Sequence, residues 1–364
     1  MCTDAQLQSV FSGFKTDDIA DSFERCTIGH INTTYFVCCE NEIKYVLQKI
    51  NTNIFKKPNE LIENILNVTS FIRDKLIKQG SDPKREVLNL IETKDGEYCL
   101  HDESGGVWRL YDAITGARTY QSAEIPGLFY NSAYAFGLFQ RQLADFPAEK
   151  LHETIVNFHN TVSRFSDLEK AIEDDLAKRR DSVAAEIGFA REHKELCSYI
   201  LDRIASGEYP LRVTHNDTKL NNVMIDEKTH EALCVIDLDT VMPGSVLYDF
   251  GDSIRFGASN ASEDEHDLSK VYMRLELFEE YLKGFLAGLD NSLTEAEIMG
   301  LPYGAIVITF ETGIRFLTDY LNGDTYFATH YEGQNLYRTR TQFKLVADML
   351  NKLPQMMKII EENK

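Results

Sequence analysis

The chain has 364 residues, of which 43% are hydrophobic and 26% charged, an ordinary globular balance that excludes disorder and low-complexity scaffolding. At roughly 150 residues per domain, this length gives one large domain or two lobes with a sizeable core. With 38 Lys and Arg against 58 Asp and Glu the formal net charge is −20. That is the wrong sign for a phosphate backbone or an acidic bilayer, so no nucleic acid and no membrane is expected as a partner. Bulk acidity of this kind is first a solubility feature.

The seven cysteines are odd in number and form no C-x-x-C pair. A disulfide framework or zinc site is therefore not expected, and a reducing, cytoplasmic location is. The amino terminus lacks a basic stretch followed by an apolar core, so no secretory leader is expected. Apolar runs such as 305–310 are far too short to span a bilayer.

In chain order, residues 21–39 read as two β-rich stretches around Gly29-His30-Ile31-Asn32, and 43–50 as a third strand centred on Tyr45-Val46-Leu47. Apolar residues at Leu61, Ile62, Ile65, Leu66, Val68 and Ile72 predict a helix over 59–78. Segments 86–91, 96–101 and 106–111 read as three more strands, separated by Asp95-Gly96 and Gly105-Gly106. Beyond a boundary near 111–116 the pattern is mainly helical. Helices are predicted over 132–145, 151–166 and 181–206, then over 275–289, 294–319 and 341–361. A β-rich island at 211–240 interrupts them. The expectation is an α+β chain in which 1–113 form a small β-rich N-lobe with one helix and 114–364 a larger, mainly helical C-lobe.

The island carries the chemistry. From Val213 it reads V-T-H-N-D-T-K-L-N-N-V-M-I, then a polar turn at 226–231, then A-L-C-V-I-D-L-D-T. A short strand ends in a polar loop, 215–222. Two apolar strands, 223–225 and 232–236, form a hairpin that delivers Asp237 to a strand end near the loop holding Asp217 and Asn222. Oxygen donors of this kind suit Mg²⁺, and a carboxylate that is not on the metal can orient a substrate hydroxyl.

The spacing is the specific part. His-x-Asp, four residues, then Asn is the catalytic-loop pattern of kinases, and a second Asp follows 20 residues after the first. In that template the first Asp accepts the hydroxyl proton, while the Asn and the later Asp hold metal. His215 is read as an orienting loop histidine rather than a base. Asp249-Phe250-Gly251 spells the metal motif of protein kinases, but it lies 32 residues after Asp217 and behind Pro243-Gly244. Asp249 is therefore read as a structural residue that hydrogen-bonds loop backbone. Asp239 and Asp252 are the remaining acidic candidates, Asp239 either joining a metal through water or standing exposed.

The segments H-N-D-T-K-L-N-N, I-D-L-D-T-V-M-P-G-S and Y-D-F-G-D-S-I-R-F-G-A-S resemble the aminoglycoside phosphotransferase-like kinases. With G-H-I-N-T-T-Y, N-T-N-I-F and R-F-L-T-D-Y-L-N-G-D-T-Y-F-A-T added, the chain resembles the N-acetylhexosamine 1-kinases over about residues 29–345. The resemblance implies a two-lobed, protein-kinase-like fold whose N-lobe sheet covers a nucleotide. It implies transfer of the γ-phosphate of ATP, with Mg²⁺ as cofactor, to the anomeric C1 hydroxyl of N-acetylglucosamine or N-acetylgalactosamine.

Carried onto this sequence, the resemblance makes Asp217 the catalytic base and Asn222 and Asp237 the metal ligands. Gly29, His30, Asn32, Tyr111 and Ala113 would form the nucleotide site. Lys219 would meet the phosphoryl group or the sugar. Arg315, between Ile314 and Phe316 in an apolar helix, would contact the sugar, with a structural salt bridge as the rival role. Tyr326, with Phe327, would offer an apolar platform. Two features depart from the pattern. The phosphate loop has one glycine, Gly29, and Gln48 stands where a phosphate-pairing lysine is expected, with Lys49 beside it on the opposite strand face. The alternatives are a kinase of amino alcohols or aminoglycosides, which the −20 charge suits, and a nucleotide-binding pseudokinase, raised by Gln48.

Overall fold

The computed structural model describes residues 2–27, 31–122 and 125–364. Its contacts divide the chain into two compact units. The first takes residues 1–120, 145–156 and 222–242, and the second takes 121–144, 157–221 and 243–364.

The first unit opens with helix α1 (Asp4–Phe11), which the periodicity analysis does not predict. A capping box between Thr3 and Gln6 starts it. Its buried face, Leu7, Val10 and Phe11, packs with Phe14 on Tyr35, Val37, Leu47, Trp108 and Leu110. Strands β1 (Ser22–Arg25), β2 (Thr33–Cys39) and β3 (Glu42–Lys49) follow. The β2–β3 turn puts Glu40 and Asn41 at φ 54° and 66°, the left-handed pair that a tight hairpin requires.

Helix α2 (Pro58–Gln79) matches its predicted span, with proline at its first turn and Gly80 in the left-handed cap. The strand expected at 86–91 is absent. The short helix α3 (Pro83–Glu86), capped by Asp82, takes its start. Only an isolated bridge, Leu90 to Tyr111, remains of it. The Leu88 carbonyl is drawn instead to the Arg73 guanidinium. The strand expected at 96–101 shrinks to β4 (Leu100–His101), because 94–96 turn. Strands β5 (Val107–Asp112) and β6 (Ala117–Arg118) complete the run. The main sheet is antiparallel with order β1-β2-β3-β5-β4.

The chain enters the second unit with α4 (Leu128–Gln142). The helix expected at 151–166 instead begins ten residues later as α5 (Thr161–Asp174). The Asn160 side chain accepts from the Ser163 N–H and fixes that start. The long helix expected at 181–206 is broken into 3₁₀ turns and the short helices α6 (Ala184–Glu192) and α7 (Tyr199–Ser206). Strand β7 (Arg212–Thr214) follows. The hairpin β8 (Val223–Asp226) and β9 (Ala232–Val235) returns to the first unit and pairs with β6.

The second unit closes with α8 (Val246–Gly257), α9 (Leu275–Leu289), α10 (Glu295–Leu321) and α11 (Gln334–Asn363). Helix α9 has its predicted bounds, while α8 is unpredicted. Close backbone contact is possible where Gly137 of α4 meets α9, since a Cβ there would lie 2.3 Å from the Phe285 carbonyl oxygen. The cysteines form no disulfide among the described residues, with Cys39 buried and Cys38 less so on the opposite strand face. Among the described residues, no helix is long and apolar enough to cross a membrane.

Candidate active site

In the second unit, β7 ends at Thr214 and the loop from His215 is held from beneath by α8. Asp249, on the first turn of α8 and wholly buried, accepts the backbone N–H groups of His215 at 2.9 Å and Asn216 at 2.7 Å. It also accepts Gln140 Nε2 at 2.6 Å. Burial pushes the Asp249 carboxyl above its usual range, against the opposing pull of His215 and of the N–H groups it accepts. The Thr218 hydroxyl donates to the Asp249 carbonyl at 2.5 Å. Asp249 thus binds the backbone of the loop, as expected, and does so from the first turn of a helix.

His215 is fully buried, edge-on to Phe136 and Phe139 with centroids 5.4 and 6.0 Å away. Its Nδ1 accepts the Asp217 N–H at 3.3 Å. It therefore orients the loop. Asn216 stands at φ 65°, so the chain reverses just before Asp217. The Asp217 carboxylate stays part-exposed and pairs with Lys219 at 2.6 Å. Burial works against the Lys219 charge, but Asp217 overcomes it and raises the lysine above its ordinary value.

The first unit holds the other two residues of the kinase pattern and brings them together. The Ile236 N–H donates to the Asn222 carbonyl at 2.9 Å, and Val223 pairs with Val235. The Asn222 amide and the Asp237 carboxylate therefore end adjacent strands. Asn222 is buried and Asp237 exposed, at φ 61° and ψ 55°. An amide oxygen and a carboxylate are hard donors that fit Mg²⁺, which takes one or two protein oxygens and completes its shell with phosphate and water.

Asp239 is not exposed. It is buried, with Oδ1 on Arg109 at 2.5 Å and Oδ2 on Asn32 at 2.6 Å. Asn32 is thereby committed at its Nδ2, and its Oδ1 accepts the Asn51 N–H at 3.0 Å. Gln48 accepts from Arg109 Nε and NH2 at 3.0 and 2.8 Å. The register explains the set: Gln48 lies opposite Arg109, and Lys49 opposite Trp108. The two pairs face opposite ways, and Lys49 lies over Trp108 and pairs with Asp102. Tyr111 is buried beneath the Arg109 guanidinium, 5.1 Å from it. The Ala113 N–H donates to the Lys44 carbonyl at 2.9 Å. Gly29 and His30 lie outside the described residues.

A third cluster lies in the second unit. The Arg315 guanidinium sits over two rings, 5.6 Å from Phe158 and 5.5 Å from Phe327. Tyr326, 63% exposed, meets Phe327 edge-on at 4.8 Å. The salt bridge considered for Arg315 does not form among the described residues. Arg164 is beside it, also without an ion pair there, and its buried Nε has no partner. Burial and the like charge of Arg315 hold the Arg164 guanidinium below its ordinary value. Nearby, Glu311 takes His159 Nδ1 at 2.8 Å and the Thr161 hydroxyl at 2.6 Å. Burial would raise Glu311, but the His159 charge and hydrogen bond hold it below the usual range. The His159 ring lies tilted against Tyr248, the neighbour of Asp249 on α8, with centroids 4.7 Å apart. One helix thus supports both the Asp217 loop and the arginine cluster.

A family model described as the phosphotransferase enzyme family, APH, matches residues 22–288. The chain belongs to that family. Among solved structures, a microcompartment-associated aminopropanol kinase is similar over 96% of this chain and 97% of its own, at 16% identity and a TM-score of 0.59. A spectinomycin phosphotransferase, solved with ADP and spectinomycin, is similar over 97% and 99%, at 12% identity and 0.57. A choline/ethanolamine kinase family protein from Mesorhizobium loti is similar over 98% and 97%, at 15% identity and 0.54. The α+β fold is that of these kinases, as the sequence resemblance implies.

Two members of this phosphotransferase's clusters escape sequence reasoning. Arg109 is masked by an apolar strand, and only its register with Gln48 gives it a role. Asp319, near the end of α10, accepts the N–H groups of Thr325 and Tyr326 on Oδ1 and of Phe327 on Oδ2. The signal for it was an acid in an apolar helix followed by Asn322-Gly323-Asp324, where Gly323 and Asp324 turn back at φ 92° and 59°.

Proposed function

We propose that this phosphotransferase moves the γ-phosphate of ATP onto the anomeric C1 hydroxyl of an N-acetylhexosamine. Asp217 accepts the hydroxyl proton as the oxygen forms its bond to phosphorus, and the bond to the ADP oxygen breaks. Lys219, paired with Asp217, supplies positive charge to the transferring group. Asn222 and Asp237 would hold Mg²⁺, which when bound offsets the charge of the phosphates. Tyr111 and Ala113 would lie along the adenine, with Gly29, His30 and Asn32 toward the phosphates.

The acceptor class rests on one observation, the neighbouring Arg164 and Arg315, which form no ion pair among the described residues although the Glu311 charge acts on both. Two adjacent guanidinium groups disfavour a cationic amine and suit an oxygen-rich acceptor, which a planar fork meets at vicinal oxygens. A kinase of amino alcohols or aminoglycosides is the second reading, favoured by the net charge of −20. ATP consumption with free sugars and amino alcohols, with and without Mg²⁺, separates them. N-acetylhexosamines are expected to be turned over, and amino alcohols not. Asp217→Asn should lose about 10²–10⁴-fold in rate with its melting temperature and ATP binding kept. Near-parental turnover in that variant would remove Asp217 from the mechanism.

A further inference from the structure

The turn carrying Asp237 is strained and needs support from outside itself. A non-glycine residue at φ 61° and ψ 55° persists only where its surroundings over-determine it. Asp237 is exposed, whereas Leu238, Asp239 and Thr240 after it are buried. The support converges on Asp239. Its two carboxylate oxygens are taken by Arg109 and Asn32, and its carbonyl accepts the Thr154 hydroxyl at 2.9 Å. Further along, Asn64 of α2 donates to the Val241 carbonyl at 3.0 Å.

Arg109 is the charged member of this support. It is 1% exposed and is the cation on the sheet face where the kinase pattern places a β3 lysine. Its planar fork holds Gln48 by two N–H groups and Asp239 by a third, so one side chain joins strand β3 to the turn. Gln48 in turn donates to Thr34 of β2 at 3.0 Å, and Asn32 stands just ahead of that strand.

We propose that Arg109 is a positioning residue for the metal-nucleotide site, acting through Asp239 to hold the Asp237 turn against the sheet in place of a lysine-centred pair. The inference rests on Asp237 being a Mg²⁺ ligand, as proposed above. Lysine at 109 keeps the charge but cannot bond Gln48 and Asp239 with one rigid fork. The Asp237 carboxylate is then less well placed, and metal-dependent nucleotide binding weakens while the acceptor is untouched.

Calorimetric titration of the full chain with ATP at graded Mg²⁺ tests this, beside melting curves and acceptor kinetics. Arg109→Lys should raise the Mg²⁺ needed for half-maximal ATP binding at least tenfold, and leave the acceptor KM within twofold. Thr154→Val, which keeps the ion pair and frees the Asp239 carbonyl, should shift Mg²⁺ dependence the same way by less, at an unchanged melting temperature. If Arg109→Lys does not fold, Thr154→Val decides alone. A lower melting temperature with unmoved Mg²⁺ dependence overturns the inference, since the pair would then be structural only. Asp237→Asn separates the two failures. If it loses Mg²⁺ dependence while Arg109→Lys and Thr154→Val keep it, only the present inference falls. If Asp237→Asn itself keeps Mg²⁺ dependence, the metal-site reading falls with it.

Discussion

Replacing Asp249 by alanine removes the acceptor for two backbone N–H groups and one amide, all in a region closed to water. An unsatisfied buried donor costs about 1–3 kcal/mol. The His215 and Asn216 donors cannot turn away, because β7 fixes the strand before them, whereas Gln140 can reorient. Removing a buried carboxylate also relieves a desolvation cost, visible in its raised pKa. Two fixed donors give a gross loss of about 2–6 kcal/mol, and the relief brings the net loss to the lower half of that range. Asp249→Asn keeps one acceptor oxygen and turns the other into a donor, so it should lose less. Urea unfolding with an unchanged slope measures the loss directly. Nucleotide titration with Mg²⁺, run where each variant is folded, should match the parent. An Asp249→Ala protein as stable as the parent but blind to Mg²⁺ would refute the reasoning and make this acid a metal ligand.

Arg315→Lys should raise the acceptor KM several-fold and leave the ATP KM nearly fixed, because lysine lacks the planar face that lies over Phe158 and Phe327; steady-state kinetics in both substrates checks it, and a fall in melting temperature with both KM values unchanged would show a structural role instead. Acid stability gives another test. The N–H groups of Thr229 and Lys228, with the Arg85 guanidinium, pull the Asp226 carboxyl from 3.8 down to about 2. Its folded value is the lower one, so its contribution is complete above 3.8 and is lost as pH falls through about 2. Asp226→Asn should melt below the parent at neutral pH, and the gap should close across that window.

Strong periodicity made α2 and α9 legible, because each buries one stripe and is closed by its own terminal residues. The hairpin delivering Asp237 was legible for the same local reason, two apolar runs around a polar turn. The segment 86–91 was not, since its apolar residues are buried without a continuous ladder and Arg73 takes a carbonyl that a strand would have paired. The 151–166 segment failed because Asn160 caps a helix later than the apolar pattern begins. At the candidate site, Asp217, Asn222 and Asp237 stood out by spacing. Arg109 did not, as its partners Gln48 and Asp239 lie 61 and 130 residues away and meet it only through strand register. The burial of Asp239 is hidden for the same reason, being set by residues distant in sequence.

The grip of Asp319 on residues 325–327 bears on how this enzyme can be redesigned. The carboxylate holds the amides of Thr325, Tyr326 and Phe327 and none of their side chains. Side-chain identity there is consequently decoupled from loop shape. Position 326, whose ring is largely in solvent, can be varied in a library without the loop collapsing, and proline is the substitution to leave out because it has no N–H for Asp319 to bind. Position 327 is more restricted, since its ring also packs on Phe316 at 4.6 Å. Sequence variation in this loop is thus best introduced first at 326, with Asp319 kept as the fixed anchor of the loop.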